Sequence, residues 1–231
     1  MDSDLACNNV DSAIIDIRDI ELTAKSYEEM LTRLDTTWIA LYAKTTSGGS
    51  LWVLAKNYYD GVTHELLPFA HDVTQRIRAS GFRLKNVLAV YRELPMTGNE
   101  KPLACGHFLI PFFVKSIHDY YFDKDSVREP HVFKGIEWGK RKTGKSGYGK
   151  NEKRRYSRKG RDPGNVIYEA TRDKDGSILM IDTVTDEEIL RKLVKVSTAK
   201  GGTIVSNISN LAFNSLVGGL ERRLTELVLE L

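Results

Sequence analysis

With 231 residues, 41% of them hydrophobic and 28% charged, the chain is long enough for one well-buried domain and too balanced for wholesale disorder. It holds no run approaching the roughly 20 apolar residues of a membrane span. Its only cysteines, Cys7 and Cys105, make neither a disulfide framework nor a zinc site. The net charge of +3 is unevenly spread: Lys134 to Arg161 carries twelve Lys or Arg against Glu137 and Glu152, a local +10, which leaves −7 for the remainder.

The first residues, MDSDLACNNVDS, are acidic and lack an apolar core, so no secretory signal is expected and the chain reads as cytoplasmic. Short apolar runs then alternate with helical-period segments, the pattern of an α/β sheet flanked by helices. Ser12–Ile17 (SAIIDI) reads as a buried strand. From Ser26 to Tyr42 the spacing of Tyr27, Met30, Leu31, Leu34, Trp38 and Leu41 predicts a helix, capped by Ser26 with Glu29 three residues on. Gly48 and Gly49 are expected to break it before the strand Ser50–Ala55. A helix over 66–79, a strand over Val87–Tyr91 and a strand over His107–Val114 follow, the last with Pro111 arguing for an edge position or a bulge.

Beyond Tyr121 the periodicity dissolves. Residues 139–165 hold seven glycines or prolines among the basic residues, the pattern of a long loop or small irregular subdomain. Order is expected to return at Asn165–Tyr168 and Ile178–Ile181. A helix over Asp186–Val196, a strand at Thr203–Val205, a helix around Asn210–Leu220 and a last segment, Leu224–Leu231, that reads as helix or strand with strand favoured complete the chain. The expected organisation is one domain over 1–231, with a basic insertion over 119–165.

An acidic body with one basic segment suggests a polyanion-binding arm. Trp138, Tyr148 and Tyr156 are interleaved with the charges, which favours nucleic acid over a solvated loop that binds nothing. The residues expected to make the nucleic-acid contact are Lys140, Arg141, Lys142, Lys145, Lys150, Lys153, Arg154, Arg155, Arg158, Lys159 and Arg161. The histidines, His64, His71, His107, His118 and His131, have no metal-ligand spacing, so no metal site is expected. TGKSGYGK (Thr143–Lys150) lacks the spacing and flanking elements of a phosphate loop.

Read in order, SGGSLWVLAKNYY (Ser47–Tyr59), GFRLKNVLAVYRE (Gly81–Glu93), GHFLIPFFVKSIHDYYFDKDSVREPH (Gly106–His131) and GRDPGNVIYE (Gly160–Glu169) resemble the amino-directed DNA methyltransferases, which modify adenine N6 or cytosine N4. The resemblance is to the permuted order with the catalytic half first, and it covers roughly residues 8–231. It implies a Rossmann-like methyltransferase sheet and places the basic segment where that family inserts its target-recognition region. In the family, the first strand ends in an Asp, Ser or Asn, two prolines and an aromatic. The first residue and neighbouring backbone accept from the target amine, and the aromatic stacks on the flipped base. Here VDSAIIDIRD (Val10–Asp19) aligns in phase and the tetrad reads Asp16, Ile17, Arg18, Asp19, so only the acid remains.

The cofactor half departs as well. GGTIVSNISNLAFNS (Gly201–Ser215) stands where the family has a phenylalanine and a glycine-rich turn against S-adenosylmethionine. Ser206, Asn207 and Ile208 replace the acid, proline and phenylalanine. Asn210 and Ala212 replace the turn glycines, with Asn210 still able to adopt a left-handed conformation. Leu211 and Phe213 are expected to fill the ligand's space. Glu230 is a candidate remnant of an acid that holds the ribose, with an ordinary surface glutamate as the alternative. Two altered motifs leave Asp16 as a relic or a structural cap, with a residual catalytic role as the alternative, and Asp19 as a relic; no catalytic residue, no cofactor-binding residue and no cofactor are expected.

The leading expectation is therefore a non-catalytic, methyltransferase-like DNA-binding protein, with DNA as partner, no membrane association, and a homodimer or partner subunit open. The alternatives are an S-adenosylmethionine-dependent site-specific DNA amino-methyltransferase with aberrant motifs or needing a partner subunit, and a protein–protein interaction module.

Overall fold

The computed structural model describes residues 8–20, 24–92, 106–130, 159–172 and 178–229. The chain opens with strand β1 (Val10–Asp16), helix α1 (Ala24–Lys44) and strand β2 (Thr45–Leu54). A hairpin of β3 (Tyr58–Tyr59) and β4 (Leu66–Leu67) leads into α2 (Phe69–Ala79), β5 (Arg83–Tyr91) and β6 (His107–Val114). After a 3-10 turn at Lys124–Val127 come β7 (Val166–Ile167), β8 (Glu169–Arg172) and β9 (Ile178–Asp182). Helix α3 (Asp186–Ser197), β10 (Thr203–Ser206), α4 (Leu211–Gly219) and β11 (Arg223–Glu226) follow.

Seven strands form the main sheet in the order β11-β10-β1-β2-β6-β5-β7. The four from β11 to β2 are parallel, β6 runs antiparallel to both neighbours, and β7 is parallel to β5. β8 and β9 make a separate two-stranded ribbon. Alternation along β1 shows why both faces must be covered: Ala13 and Ile15 pack into one core with α1 and α2, while Ile14 packs into the other with α3 and α4. On α1, Leu31, Leu34, Trp38 and Leu41 recur at helical spacing and are all buried in the first core.

The strands and helices lie close to where their periods predict, with three corrections. Leu66–Leu67, expected to open a helix, pair instead with Tyr58–Tyr59, and α2 begins at Phe69. Gly48 and Gly49 do not terminate α1. The helix stops at Lys44 and β2 begins at once, running through both glycines. The register against β1 slips there, from Val10 opposite Thr45 to Ser12 opposite Ser50. A Cβ on Gly49 would stand 2.5 Å from Thr45 Cγ2 and 2.9 Å from the Val10 carbonyl oxygen, so the bulge admits only glycine.

Pro111, expected at an edge or a bulge, does not lie at an edge: it is in β6 between β2 and β5, whose pairing with β6 shifts register between Leu84 and Asn86. The β2–β6 pairs run from Ser50–Val114 to Trp52–Phe112 and resume at Ala55–Leu109. Val53 therefore faces Pro111, which has no N–H to donate, and the interior strand tolerates proline by giving up one rung.

Of the stretch 119–165, residues 119–130 and 159–165 are described, and both lie on the body. Asp123 N–H donates to the Val196 carbonyl at the end of α3 (2.8 Å), and Glu129 and Arg161 exchange backbone hydrogen bonds. Among the described residues no helix is long and apolar enough to cross a membrane.

Candidate functional site

In an open α/β sheet, ligands bind outside the carboxyl ends of the strands where successive crossovers diverge. Here β1 connects through α1 to β2 on one side, and β10 through α4 to β11 on the other, so the switch point lies between β1 and β10. Ser206, which ends β10, stands opposite Ile14. The residues that leave the two strands, Asp16 to Arg18 and Ser206 to Asn207, thus share one crevice.

Asn207 bridges that crevice. Its Oδ1 accepts from the Asp16 backbone N–H (2.8 Å) and its Nδ2 donates to the Asp16 carbonyl (2.7 Å), so one amide satisfies both main-chain groups. The Asp16 carboxylate turns to Arg18. Oδ1 accepts from the Arg18 backbone N–H (3.0 Å) and Nε (2.9 Å), and Oδ2 accepts from Nη2 (2.6 Å). Arg18 also donates to Asp186 through Nη1 (3.2 Å) and Nη2 (2.7 Å).

Asp186 opens α3 behind its cap Thr185 and pairs as well with Arg92, whose Nη1 donates to the Val184 carbonyl (2.8 Å). Both guanidinium groups lie over the Phe108 ring, at 4.5 Å for Arg18 and 4.7 Å for Arg92. The network Asp16–Arg18–Asp186–Arg92 has no net charge.

Protonation follows this pairing. Burial alone would lower the Arg18 pKa, but the hydrogen bonds and charges of Asp16 and Asp186 outweigh it and hold the group above its ordinary value. Burial likewise works to raise Asp186, and Arg18 and Arg92 overcome it, keeping the carboxyl below its usual range. Tyr58 donates from its hydroxyl to the carbonyls of Ile17 (3.2 Å) and Arg18 (2.7 Å), pinning the segment after β1. Its pKa is pushed up to about 12, first by burial and then by the charges of Asp19 and Asp16.

Asp19 projects into solvent with its side chain 98% exposed, 3.9 Å from Lys56. The turn after β10 contains no glycine, and none of residues 206–210 has a positive φ. Asn210 does not adopt the left-handed conformation that its type permits. It caps α4 at φ −135°, its Oδ1 accepting from Phe213 N–H (2.8 Å). Leu211 and Phe213, the two residues expected to fill the ligand's space, part company. Leu211 is 85% exposed, and Phe213 is buried in the core beneath α4, because helical phase sends Phe213, Leu216 and Val217 inward together. Glu230 lies outside the described residues; the acid at the carboxyl end of β11 is Glu226, opposite Ser206.

Sequence reasoning selected Asp16, Asp19, Ser206 and Asn207, and the structure brings three of them together while Asp19 stands apart. It missed Arg92, Phe108 and Asp186. Arg18 beside Asp16 was a local signal of a clamp, whereas residues from three distant elements left none.

Of the expected DNA contacts, Lys140, Arg141, Lys142, Lys145, Lys150, Lys153, Arg154, Arg155 and Arg158 lie outside the described residues, as do Trp138, Tyr148 and Tyr156. Lys159 pairs with Asp125, and Arg161 pairs with Glu129. A cavity of about 440 Å³ opens between this stretch, the sheet face and α3, and a groove of about 560 Å³ runs beside it along α3. Neither is lined by Asp16, Arg18, Asp186 or Asn207. Among the described residues no three His, Cys, Asp or Glu cluster in a way that could hold a metal ion.

No protein-family model matches the sequence, and comparison with curated proteins finds no match. Solved structures do match. A Thermus thermophilus protein assigned as a DNA modification methylase, in complex with S-adenosyl-L-methionine, superposes with a TM-score of 0.63 at 14% identity, over 96% of this chain and 80% of that one. The PvuII cytosine-N4-specific DNA methyltransferase gives 0.64 at 11% identity, over 95% and 74%. The M1.HpyAVI complex with SAM gives 0.52 at 12%, over 95% and 81%. These superpositions show that the chain shares the fold of these solved structures, a DNA modification methylase and a cytosine-N4-specific DNA methyltransferase among them.

Proposed function

We propose that the chain is a methyltransferase-like protein that binds DNA and does not transfer methyl groups. The observation that carries this reading is the engagement of Asp16. A target amine needs a free acceptor at the end of β1, and here both carboxylate oxygens are held by Arg18 and both backbone groups by Asn207. S-adenosylmethionine does not fit the same crevice in this reading. The Asn207 bridge draws the two strand ends together, and a turn without glycine holds side chains where the cofactor needs bare backbone. DNA contact then rests on the basic segment, with phosphate neutralisation as its main source of affinity.

A second reading, a working S-adenosylmethionine-dependent DNA methyltransferase, has one observation in its favour. An acid still ends β1 beside β10, in a fold whose solved counterparts include complexes with that cofactor.

Duplex titrations at several salt concentrations test the proposal. Affinity is expected to fall with a log–log slope of about −0.9 per phosphate neutralised. Changing Arg154, Arg155, Arg158 and Lys159 to alanine is expected to weaken binding and flatten the slope, with the fold intact. An unchanged slope in that variant means the basic segment is not the DNA site.

A further inference from the structure

The 440 Å³ cavity beside the root of the basic segment has the size of a small-molecule site and lies away from the crevice. Behind its sheet side Trp52 and Phe112 stack with centroids 3.9 Å apart and planes 15° from parallel, each only 2% exposed, so they back the site and the accessible ring is that of Phe122. Phe122 leans on Phe112 at 5.5 Å yet remains 41% exposed, so it presents an open ring face at the mouth.

Two asparagines supply a polar edge. Asn165 Nδ2 donates to the Val87 carbonyl (3.2 Å), which leaves its Oδ1 without a partner among the described residues. Asn86 Oδ1 accepts from Val87 N–H (2.8 Å), which leaves its Nδ2 free in the same sense. The pairing with Val87 thus orients both amides and sets one donor near one acceptor. Three cations stand on the rim, each ion-paired: Lys124 with Asp162, Arg161 with Glu129, and Lys192 with Glu129 and Glu188.

An exposed aromatic ring, a donor beside an acceptor, and rim cations that can exchange a carboxylate for a phosphate are the complement of a flat heteroaromatic ring bearing a phosphate. We propose that this cavity binds a nucleobase, supplied either by a free nucleotide or by an unstacked residue of a nucleic-acid strand. The inference rests on the DNA-binding reading for the second source alone. An unfilled packing gap is the competing account, and it predicts no dependence on the base.

Isothermal titration of the full chain tests this with adenosine monophosphate, with a single-stranded oligonucleotide, and with the same strand made abasic. The variants are Phe122→Ala, which removes an exposed ring and little core, and Leu88→Trp, which fills the cavity from β5. Phe122→Ala is expected to weaken the base-bearing probe about tenfold and leave the abasic strand unchanged. Binding of the monophosphate, lost in the variants, identifies the free nucleotide as the source. A base-dependent preference seen only with the strand identifies the polymer.

Equal affinity for the base-bearing and abasic strands together with no binding of the monophosphate overturns the proposal, as does base-dependent binding untouched by both variants. The duplex salt slope measured in parallel separates the two claims. A steep slope without base dependence removes the cavity inference only, and a flat slope with monophosphate binding removes the DNA reading only.

Discussion

Arg18 holds two carboxylates at once, Asp16 on its own turn and Asp186 on α3, while lying over Phe108. Breaking one member of such a network costs more than the pair contributes, because partly buried partners are left unsatisfied. Arg18→Ala is expected to destabilise the fold by about 1–3 kcal/mol, read by urea denaturation. In a double-mutant cycle, Arg18→Ala and Asp186→Ala are expected to couple by at least about 0.5 kcal/mol. Strict additivity would mean that the clamp does not connect β1 to α3.

Tyr58 provides a pH-dependent counterpart. Its neutral hydroxyl donates to two carbonyls, and its pKa rises from an ordinary value of about 10 to about 12. A group whose pKa is raised on folding contributes stability that is complete below its unfolded pKa and is lost as pH climbs through the folded one. The difference in melting temperature between wild type and Tyr58→Phe is therefore expected to shrink between pH 10 and pH 12. A constant difference across that window would separate Tyr58's contribution from its ionisation.

At the scale of elements, the join between α1 and β2 carries the most local constraint. No loop separates them, so the slip in register against β1 is absorbed at Gly49, where a Cβ meets both a threonine methyl group and a main-chain carbonyl. Gly49→Ala is expected to cost about 1–3 kcal/mol, since neither neighbour is the free end of a flexible side chain. An unchanged denaturation midpoint would mean that the bulge relaxes without it. The reading of these glycines as helix breakers missed this because their composition is the same in a break and in a bulge. Only the register of the partner strand separates the two.

For the whole molecule, methyl transfer needs donor and amine held together in reacting geometry. Rebuilding the tetrad with Ile17→Pro, Arg18→Pro and Asp19→Tyr removes the clamp but leaves the Asn207 bridge. It also forfeits the hydrogen bond from Ile17 N–H to the Leu54 carbonyl. With a tritiated donor, neither wild type nor this variant is expected to label DNA above background. Labelling by wild type would establish the enzyme reading; labelling by the variant alone would describe an enzyme blocked at one site.

By itself, the sequence determined the fold class, the order of strands and helices, and the position of Asp16 at a strand end. Apolar period and chain order are local properties, and several phrases in family order constrain a topology that no single motif does. The lengths of α1 and α3 and the strand His107–Val114 were legible for that reason.

Only the tertiary structure decided what became of the crevice. Arg92, Phe108 and Asp186 converge from the end of β5, the start of β6 and the first turn of α3. Asn207 reaches back to a strand 191 residues earlier in the chain. Helix phase sent Leu211 outward and Phe213 into the core, although both belong to the same run of sequence. Charge pairing and side-chain direction depend on which surfaces the sheet brings together, and spacing along the chain does not carry that information.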